Sequence, residues 1–115
     1  MAVVGYYDLK RTKNKQYYFN LKASNGDVIL TSEMYTTKAA ANKGIRSVQA
    51  NSPAEKNFEI REHKSGKHYF VLKARNYQVI GISESFDNET VAKKGIQSAI
   101  KNGSSENVRD LTKSD

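Results

Sequence analysis

The sequence contains no cysteine, which excludes several kinds of chemistry at once. No disulfide can form, no thiolate can act as a nucleophile, and no metal can be held through sulfur. The absence is consistent with a reducing compartment. Only two histidines are present, His63 and His68, and neither has a clear carboxylate partner, so we expect no metal site and no cofactor.

Long apolar runs are also missing. No stretch approaches the roughly 20 apolar residues that a membrane-spanning helix needs. The opening residues, MAVVGYYDLK, lack the basic start and long apolar stretch of a signal peptide. We therefore expect no membrane association and a cytoplasmic location.

Charge is unevenly balanced, with 19 basic and 12 acidic residues and a net charge of +7. A positive balance favours contact with nucleic acid, acidic proteins or other polyanions through long-range attraction. It is equally typical of a basic protein whose charge serves solubility alone. Charge therefore leaves a polyanion or a protein partner open.

The chain repeats itself at an offset of 51 positions. The stretch YFNLKASNGDVILTSE, which begins at Tyr18, returns as YFVLKARNYQVIGISE from Tyr69. Sixteen of 34 positions are identical between residues 18–51 and 69–102, whereas chance gives about one in twenty. We predict one domain over residues 1–115, built from two repeats at approximately 5–56 and 57–112.

Each repeat begins with three predicted strands. The first, YYDLK or FEIRE, is followed by a polar turn, RTKNK or HKSGK. The second strand alternates, so that Phe19 and Leu21 face one side while Tyr18, Asn20 and Lys22 face the other. The third strand is expected at Asp27–Glu33.

The turn between the second and third strands differs between the copies. Asn25-Gly26 predicts a type I′ hairpin, because both residues tolerate positive φ angles. In the second copy Asn76-Tyr77 takes this place. A bulky residue there implies a different turn or a strained one, and the sequence does not reveal the role of Tyr77.

A helix follows in each copy, predicted at Thr36–Asn51 and Asp87–Asn102 with the first residue of each as N-cap. The first helix carries an apolar stripe that we expect to face the sheet, and the second carries its counterpart. The stripes are Ala41, Ile45 and Val48, and Ala92, Ile96 and Ala99. Gly44 and Gly95 lie mid-helix, where glycine costs about 1 kcal/mol relative to alanine, and this predicts close approach to the strands.

The strands after the helices are predicted to be shared. The strand around Phe58 closes the first copy and opens the second, and Val108–Leu111 closes the second. One copy alone would expose a sheet edge, which invites aggregation. Two copies that share strands in one sheet would cover each other's edges.

The repeated patterns F-x-L-K-A-x-N, V-I-x-x-S-E and G-I-x-S resemble the YegP-like family of small, mostly bacterial proteins, over residues 5–112. The resemblance implies an α+β fold of two tandem β-β-β-α-β repeats. These would form a single antiparallel sheet with exchanged C-terminal strands and the helices packed on one face. The family is one of unknown function, so the resemblance assigns no catalytic or binding residue.

No catalytic constellation is apparent. Ser32 and Ser83 lack the glycine-flanked elbow of a serine nucleophile. Glu33 and Glu84 recur in both copies and are more typical of strand ion pairs than of an acid–base pair. No phosphate-binding loop is present. We therefore expect a non-enzymatic binding or structural module of otherwise unknown function.

The open face of the sheet is the surface that the sequence favours for binding. Aromatic rings beside lysines suit single-stranded nucleic acid, because bases stack on the rings and ammonium groups contact phosphates. The alternative is a protein-interaction module that docks a peptide by strand addition. We expect a monomer, since duplication already provides both halves. The candidate residues are Tyr18, Lys22, Tyr69 and Lys73, with Lys10, Arg11, Lys13 and Lys15 on the first hairpin.

Overall fold

The structure is a computed structural model that describes residues 5–112. These residues form seven strands and two long helices, each helix following three strands, and a short 3-10 helix at Glu55–Asn57 precedes the fourth strand. The elements are β1 (Tyr6–Arg11), β2 (Tyr17–Lys22), β3 (Val28–Thr31), α1 (Lys38–Asn51), β4 (Phe58–Glu62), β5 (His68–Lys73), β6 (Val79–Ile82), α2 (Glu89–Asn102) and β7 (Val108–Asp110).

All seven strands lie in one sheet, in the order β4-β5-β6-β3-β2-β1-β7. The predicted α+β class is confirmed, and so is the exchange, because β7 of the second repeat pairs with β1 of the first. The sheet is mixed rather than wholly antiparallel, since β7 runs parallel to β1. α2 connects β6, at the centre of the sheet, to β7 at its edge beside β1.

The two repeats meet at the centre of the sheet. There Thr31 of β3 pairs antiparallel with Ile82 of β6, so an approximate two-fold axis runs normal to the sheet. Both helices bury their apolar stripes against the same face, in one core with side chains from β2 and β5. The strand residues in this core include Phe19, Leu21, Phe70 and Leu72. Among residues 5–112, no helix lies on the opposite face.

Both helices begin one residue later than predicted. Thr37 and Asn88 are the N-caps, and each side chain accepts a hydrogen bond at 3.0 Å from the backbone amide three residues on. The prediction of Thr36 and Asp87 was wrong because two cap-type residues are adjacent at each start, and local preference does not separate them.

The mid-helix glycines do permit close packing. A Cβ on Gly95 would lie 2.8 Å from the ring of Phe70, and one on Gly44 would lie 3.0 Å from the ring of Phe19. Real Cβ atoms do not approach other heavy atoms within 3.0 Å, so a larger residue at Gly95 would push α2 off the sheet.

The predicted type I′ turn at Asn25-Gly26 was wrong. The Gly26 amide donates to the Ala23 carbonyl at 2.9 Å, and of the two residues Asn25 and Gly26 only Gly26 has positive φ, at 91°. This geometry describes a type I turn followed by a left-handed residue. The turn in the second copy is the same, because the Tyr77 amide bonds to the Ala74 carbonyl at 2.9 Å. Tyr77 therefore adopts the left-handed conformation of a glycine, with φ 67°.

Candidate functional site

The face without helices is crossed by one continuous row of side chains. Each strand contributes one residue, which pairs with the contributed residue of the adjacent strand, and the row runs from β4 to β7. Its middle is apolar or neutral, and its two ends are ionic. The row is Glu59, Val71, Ile82, Thr31, Asn20, Asp8 and Arg109.

The structure does not bring Tyr18 and Tyr69 together. Because β2 and β5 run in opposite directions, the two rings lie on opposite sides of the central row. Three strand spacings and about four residues along the strands separate them, on the order of 20 Å. Each ring also has a neighbour already: Lys10 lies 5.8 Å from the Tyr18 centroid, and His63 stacks on Tyr69 at 4.4 Å.

Lys22 and Lys73 are both held by carboxylates. Lys22 lies 2.9 Å from Asp8, which is fully buried, and Lys73 pairs with Glu59 in the same way in the second repeat. Glu59 has its pKa lowered by the hydrogen bond from Lys73 and then by that from Arg61. Because these carboxylates already neutralise the two ammonium groups, Lys22 and Lys73 would attract a phosphate only weakly. Both lysines fit ion-pair roles in the sheet.

The first hairpin presents the free cations of the predicted set. Arg11, Lys13 and Lys15 are exposed and Lys10 is half-buried. Within residues 5–112 none of these four side chains forms a salt bridge. The hairpin tip is therefore positively charged, and it is separate from Lys22 and Lys73 at the far ends of their strands.

The outer edge of β1 is closed by β7. The Tyr7 amide donates to the Asn107 carbonyl at 2.8 Å, and the Leu111 amide donates to the Leu9 carbonyl at 2.9 Å. Arg109 of β7 donates two hydrogen bonds to Asp8, at 2.6 and 2.8 Å. Main-chain pairing and an ion pair thus fasten this edge.

The outer edge of β4 is the two-fold equivalent of that edge, and it is open. Ile60 corresponds to Leu9, so its amide and carbonyl point away from β5, yet no strand of the described chain lies beside them. The expectation that the copies cover each other's edges was therefore wrong for one of the two edges. Residues 57–59, which match β7 in the repeat, are the last residue of the 3-10 helix and the first two residues of β4, so they cannot also lie outside β4.

A groove of about 810 Å³ adjoins the start of β4. Tyr77 forms one wall, with 81% of its surface exposed, and Lys56 and Arg75 add positive charge. Asn57 and Glu59 line the same groove. In the sequence, the signal for this site was the tyrosine in a glycine position.

The serines considered as nucleophiles have structural partners. Ser32 Oγ accepts from the Phe19 amide and Ser83 Oγ accepts from the Phe70 amide, both at 2.9 Å. Within residues 5–112 no three histidine or acidic side chains form a group that could hold a metal ion. In the same part of the chain, no helix is both long and apolar enough to cross a membrane. The cytoplasmic location stays a prediction.

The duplicated pattern is shared with known proteins. A family model described as a domain of unknown function, DUF1508, matches residues 12–59 and again residues 63–110. The chain belongs to the DUF1508 family. This confirms the resemblance to YegP-like proteins, while the repeat boundaries at 5–56 and 57–112 stay a prediction.

Relatives in the DUF1508 family cover nearly the whole chain. A UPF0339 protein of Photorhabdus laumondii is 90% identical over 97% of this chain and 98% of its own length. YegP of Yersinia pestis is 56% identical over 95% of this chain and 97% of its own. The solution NMR structure of YegP from E. coli, a protein of unknown function, matches with a TM-score of 0.92, 43% identity and coverage of 100% and 99%. These relatives indicate no specific function.

Proposed function

We propose that the protein is a non-enzymatic interaction module that takes an extended segment of a partner protein onto the outer edge of β4. The observation that carries the proposal is the difference between two equivalent edges. The outer side of β1 is closed by β7, whereas no strand among residues 5–112 lies on the outer side of β4. Strand addition supplies affinity through main-chain hydrogen bonds at such an edge.

The closed edge indicates how the partner segment would lie. Since β7 runs parallel to β1, the segment would run parallel to β4. Ile60 would then accept a main-chain hydrogen bond as Leu9 accepts one from Leu111. The groove beside Asn57 would receive the residues that precede the added strand.

A titration of the isotope-labelled full chain with a synthetic peptide of sequence SSENVRDLT, which repeats residues 104–112, tests this proposal. We expect amide shifts and slowed hydrogen exchange at 58–62. Residues 6–11 should change little, because the tethered β7 has an effective concentration in the millimolar range. Glu62→Pro removes an outward amide from the exposed end of β4 and should abolish the shifts, whereas Glu62→Ala should preserve them. Shifts that survive Glu62→Pro would contradict strand addition.

A second candidate is contact with single-stranded nucleic acid at the first hairpin. It is favoured by the four cations there that lack ion pairs within residues 5–112. Short DNA or RNA strands should shift the amides of residues 10–18 at low salt and lose this effect at roughly 0.2 M salt. Lys13→Gln with Lys15→Gln should weaken the shifts, and unaltered binding in that variant would remove this candidate.

We take the chain to be a monomer in the cytoplasm. The tandem repeat places both halves of the sheet in one polypeptide, so a second chain is not needed to complete the central pairing of β3 with β6. Sedimentation of the full chain should give a single species that is independent of concentration.

A further inference from the structure

We propose that the partner segment carries an arginine, which Glu59 holds by its guanidinium and Tyr77 covers with its ring. This inference rests on the proposed function and specifies the chemistry of the segment. It is argued from the occupied edge of the same molecule, where each part of the site has a counterpart 51 positions earlier.

The occupied edge shows what an added strand brings. Arg109 reaches both carboxylate oxygens of Asp8, and its guanidinium lies 4.8 Å from the centroid of the Tyr6 ring. An acid in the sheet and an aromatic ring beside it suit a planar guanidinium, which bonds bidentately and stacks at once. A lysine would satisfy only the charge.

The acid is retained at the open edge. Glu59 occupies the position of Asp8, and Lys73 pairs with it as Lys22 pairs with Asp8. The carboxylate of Glu59 remains accessible, with 44% of its side chain exposed, whereas that of Asp8 is fully buried. Among residues 5–112, Glu59 has no arginine partner from an outer strand that would correspond to Arg109.

Arg61 supplies a guanidinium from within β4 itself, with its Nε 3.1 Å from Glu59. It can release the acid, because Arg61 stands opposite Tyr69 in the register with β5. Lys10, its counterpart in the first repeat, already lies over Tyr18 in that manner. Arg61 therefore competes with the incoming arginine for Glu59, and the hydroxyl of Tyr69 offers it a second hydrogen-bond partner.

The second repeat also has an aromatic ring near the acid, but this ring belongs to Tyr77 in the β5–β6 hairpin and not to β4. Asn57 stands where the first repeat has Tyr6, and Tyr77 stands where it has Gly26. A Cβ on Gly26 would lie 3.9 Å from the hydroxyl of Tyr6, so a side chain at position 77 points toward position 57. Glu59 and Tyr77 line one groove, which gives the acid and the ring a common space.

The conformation of Tyr77 favours a role outside packing. A left-handed backbone is strained for a bulky residue, and strained residues of this kind cluster at binding sites. Tyr77 has 81% of its surface exposed, so burial in the unbound chain does not offset the strain. The equivalent hairpin position in the first repeat is glycine.

The test compares two peptides and three variants of the full chain, with the amide shifts of residues 58–62 as the readout of affinity. The peptide SSENVRDLT should bind about tenfold more tightly than the same peptide with glutamine in place of arginine. Tyr77→Gly and Glu59→Gln should each lower the affinity for the arginine peptide several-fold and leave the affinity for the glutamine peptide unchanged. Arg61→Gln should raise the affinity for the arginine peptide, although it removes a positive charge, because Glu59 then has no competing guanidinium from β4.

The outcomes separate this inference from the proposed function. Equal binding of the two peptides at residues 58–62, or no effect of Tyr77→Gly, would overturn the arginine site and leave strand addition standing. Absence of shifts at 58–62 with both peptides would overturn both. If the chain alone dimerises with rising concentration and Glu62→Pro abolishes the dimer, the occupant is a second copy, and a separate partner is contradicted.

Discussion

Arg109 and Asp8, 101 positions apart, form a bidentate ion pair in which Nε and one terminal nitrogen donate to the two carboxylate oxygens at 2.6 and 2.8 Å. The pair joins the last strand of the second repeat to the first strand of the first. Asp8 is fully buried and also contacts Lys22, so its charge depends on these two partners.

The ion pair predicts that the tail stabilises the whole fold. Arg109→Leu should lower the free energy of unfolding by about 2 kcal/mol, because Asp8 keeps only Lys22 as a charged partner inside the sheet. Deletion of residues 107–115 should cost more, since the main-chain bonds to β1 are lost as well. Urea denaturation measures both.

Lys93→Leu is a suitable control for Arg109→Leu. Its ammonium lies 3.4 Å from Glu89 on the exposed surface of α2, where such a pair contributes only a few tenths of a kcal/mol. Unchanged unfolding of the truncated chain would contradict the exchange of β7.

Low pH should weaken the ion pair between Arg109 and Asp8. The hydrogen bond from Arg109 is the main cause that lowers the pKa of Asp8 to about 2. A carboxylate with a depressed pKa contributes stability that is complete above its unfolded pKa near 4 and is lost as the pH falls through about 2. The wild-type chain should thus lose roughly 2 kcal/mol from this group over that interval.

Asp8→Asn should flatten this dependence while lowering stability at neutral pH. Some slope will remain, because the hydrogen bond from Lys38 lowers the pKa of Asp110 in the same direction. Thermal unfolding at several pH values between 2 and 7 compares the two chains. Parallel curves for wild type and Asp8→Asn would show that Asp8 does not carry the dependence.

The repeat, the strands and the helices could be predicted because each rests on a local period. The alternation around Phe19 and the spacing of Ile45 and Val48 are visible within a few residues, and the structure buries all three. The helix starts were misplaced only where two N-cap residues are adjacent.

The candidate site could be predicted only in part, because it depends on pairings between distant segments. Lys22 was expected to contact a ligand on the open face, but Asp8 lies diagonally across the β1–β2 pairing and neutralises its charge. That contact follows from the register of one hairpin, so it was within reach of the sequence. The open edge of β4 was not, because it requires knowing that β7 returns to β1 rather than to β4.

Tyr77→Gly and Gly26→Tyr should change the free energy of unfolding in opposite directions. Tyr77→Gly should raise the free energy of unfolding by about 0.5–1 kcal/mol, since relief of the left-handed strain exceeds the added freedom of glycine in the unfolded chain. Gly26→Tyr should cost about 1 kcal/mol, because it places the same strain in the first repeat. Chemical denaturation of both variants checks the pair, and a loss of stability in Tyr77→Gly would show that the ring contributes packing in the unbound chain.

Ser52 and Gly103, 51 positions apart, meet where the two helices end. Gly103 has φ −67°, so it is not required for a left-handed helix stop. A Cβ at this position would lie 2.5 Å from the Cβ of Ser52, which is fully buried. Gly103→Ala should therefore destabilise the chain by about 2 kcal/mol through overpacking.

Ser52→Gly in the same chain should recover much of this loss, because it removes the side chain that the new methyl group meets. A double-mutant cycle in urea measures the coupling, which we expect to be at least 1 kcal/mol for residues in direct contact. Ser52→Gly alone should cost little from polar contacts, because its buried hydroxyl has no hydrogen-bond partner within residues 5–112. Additive effects of the two substitutions would mean that the helix ends do not meet, and that the approach to the Ala99 carbonyl at 2.8 Å alone makes glycine necessary.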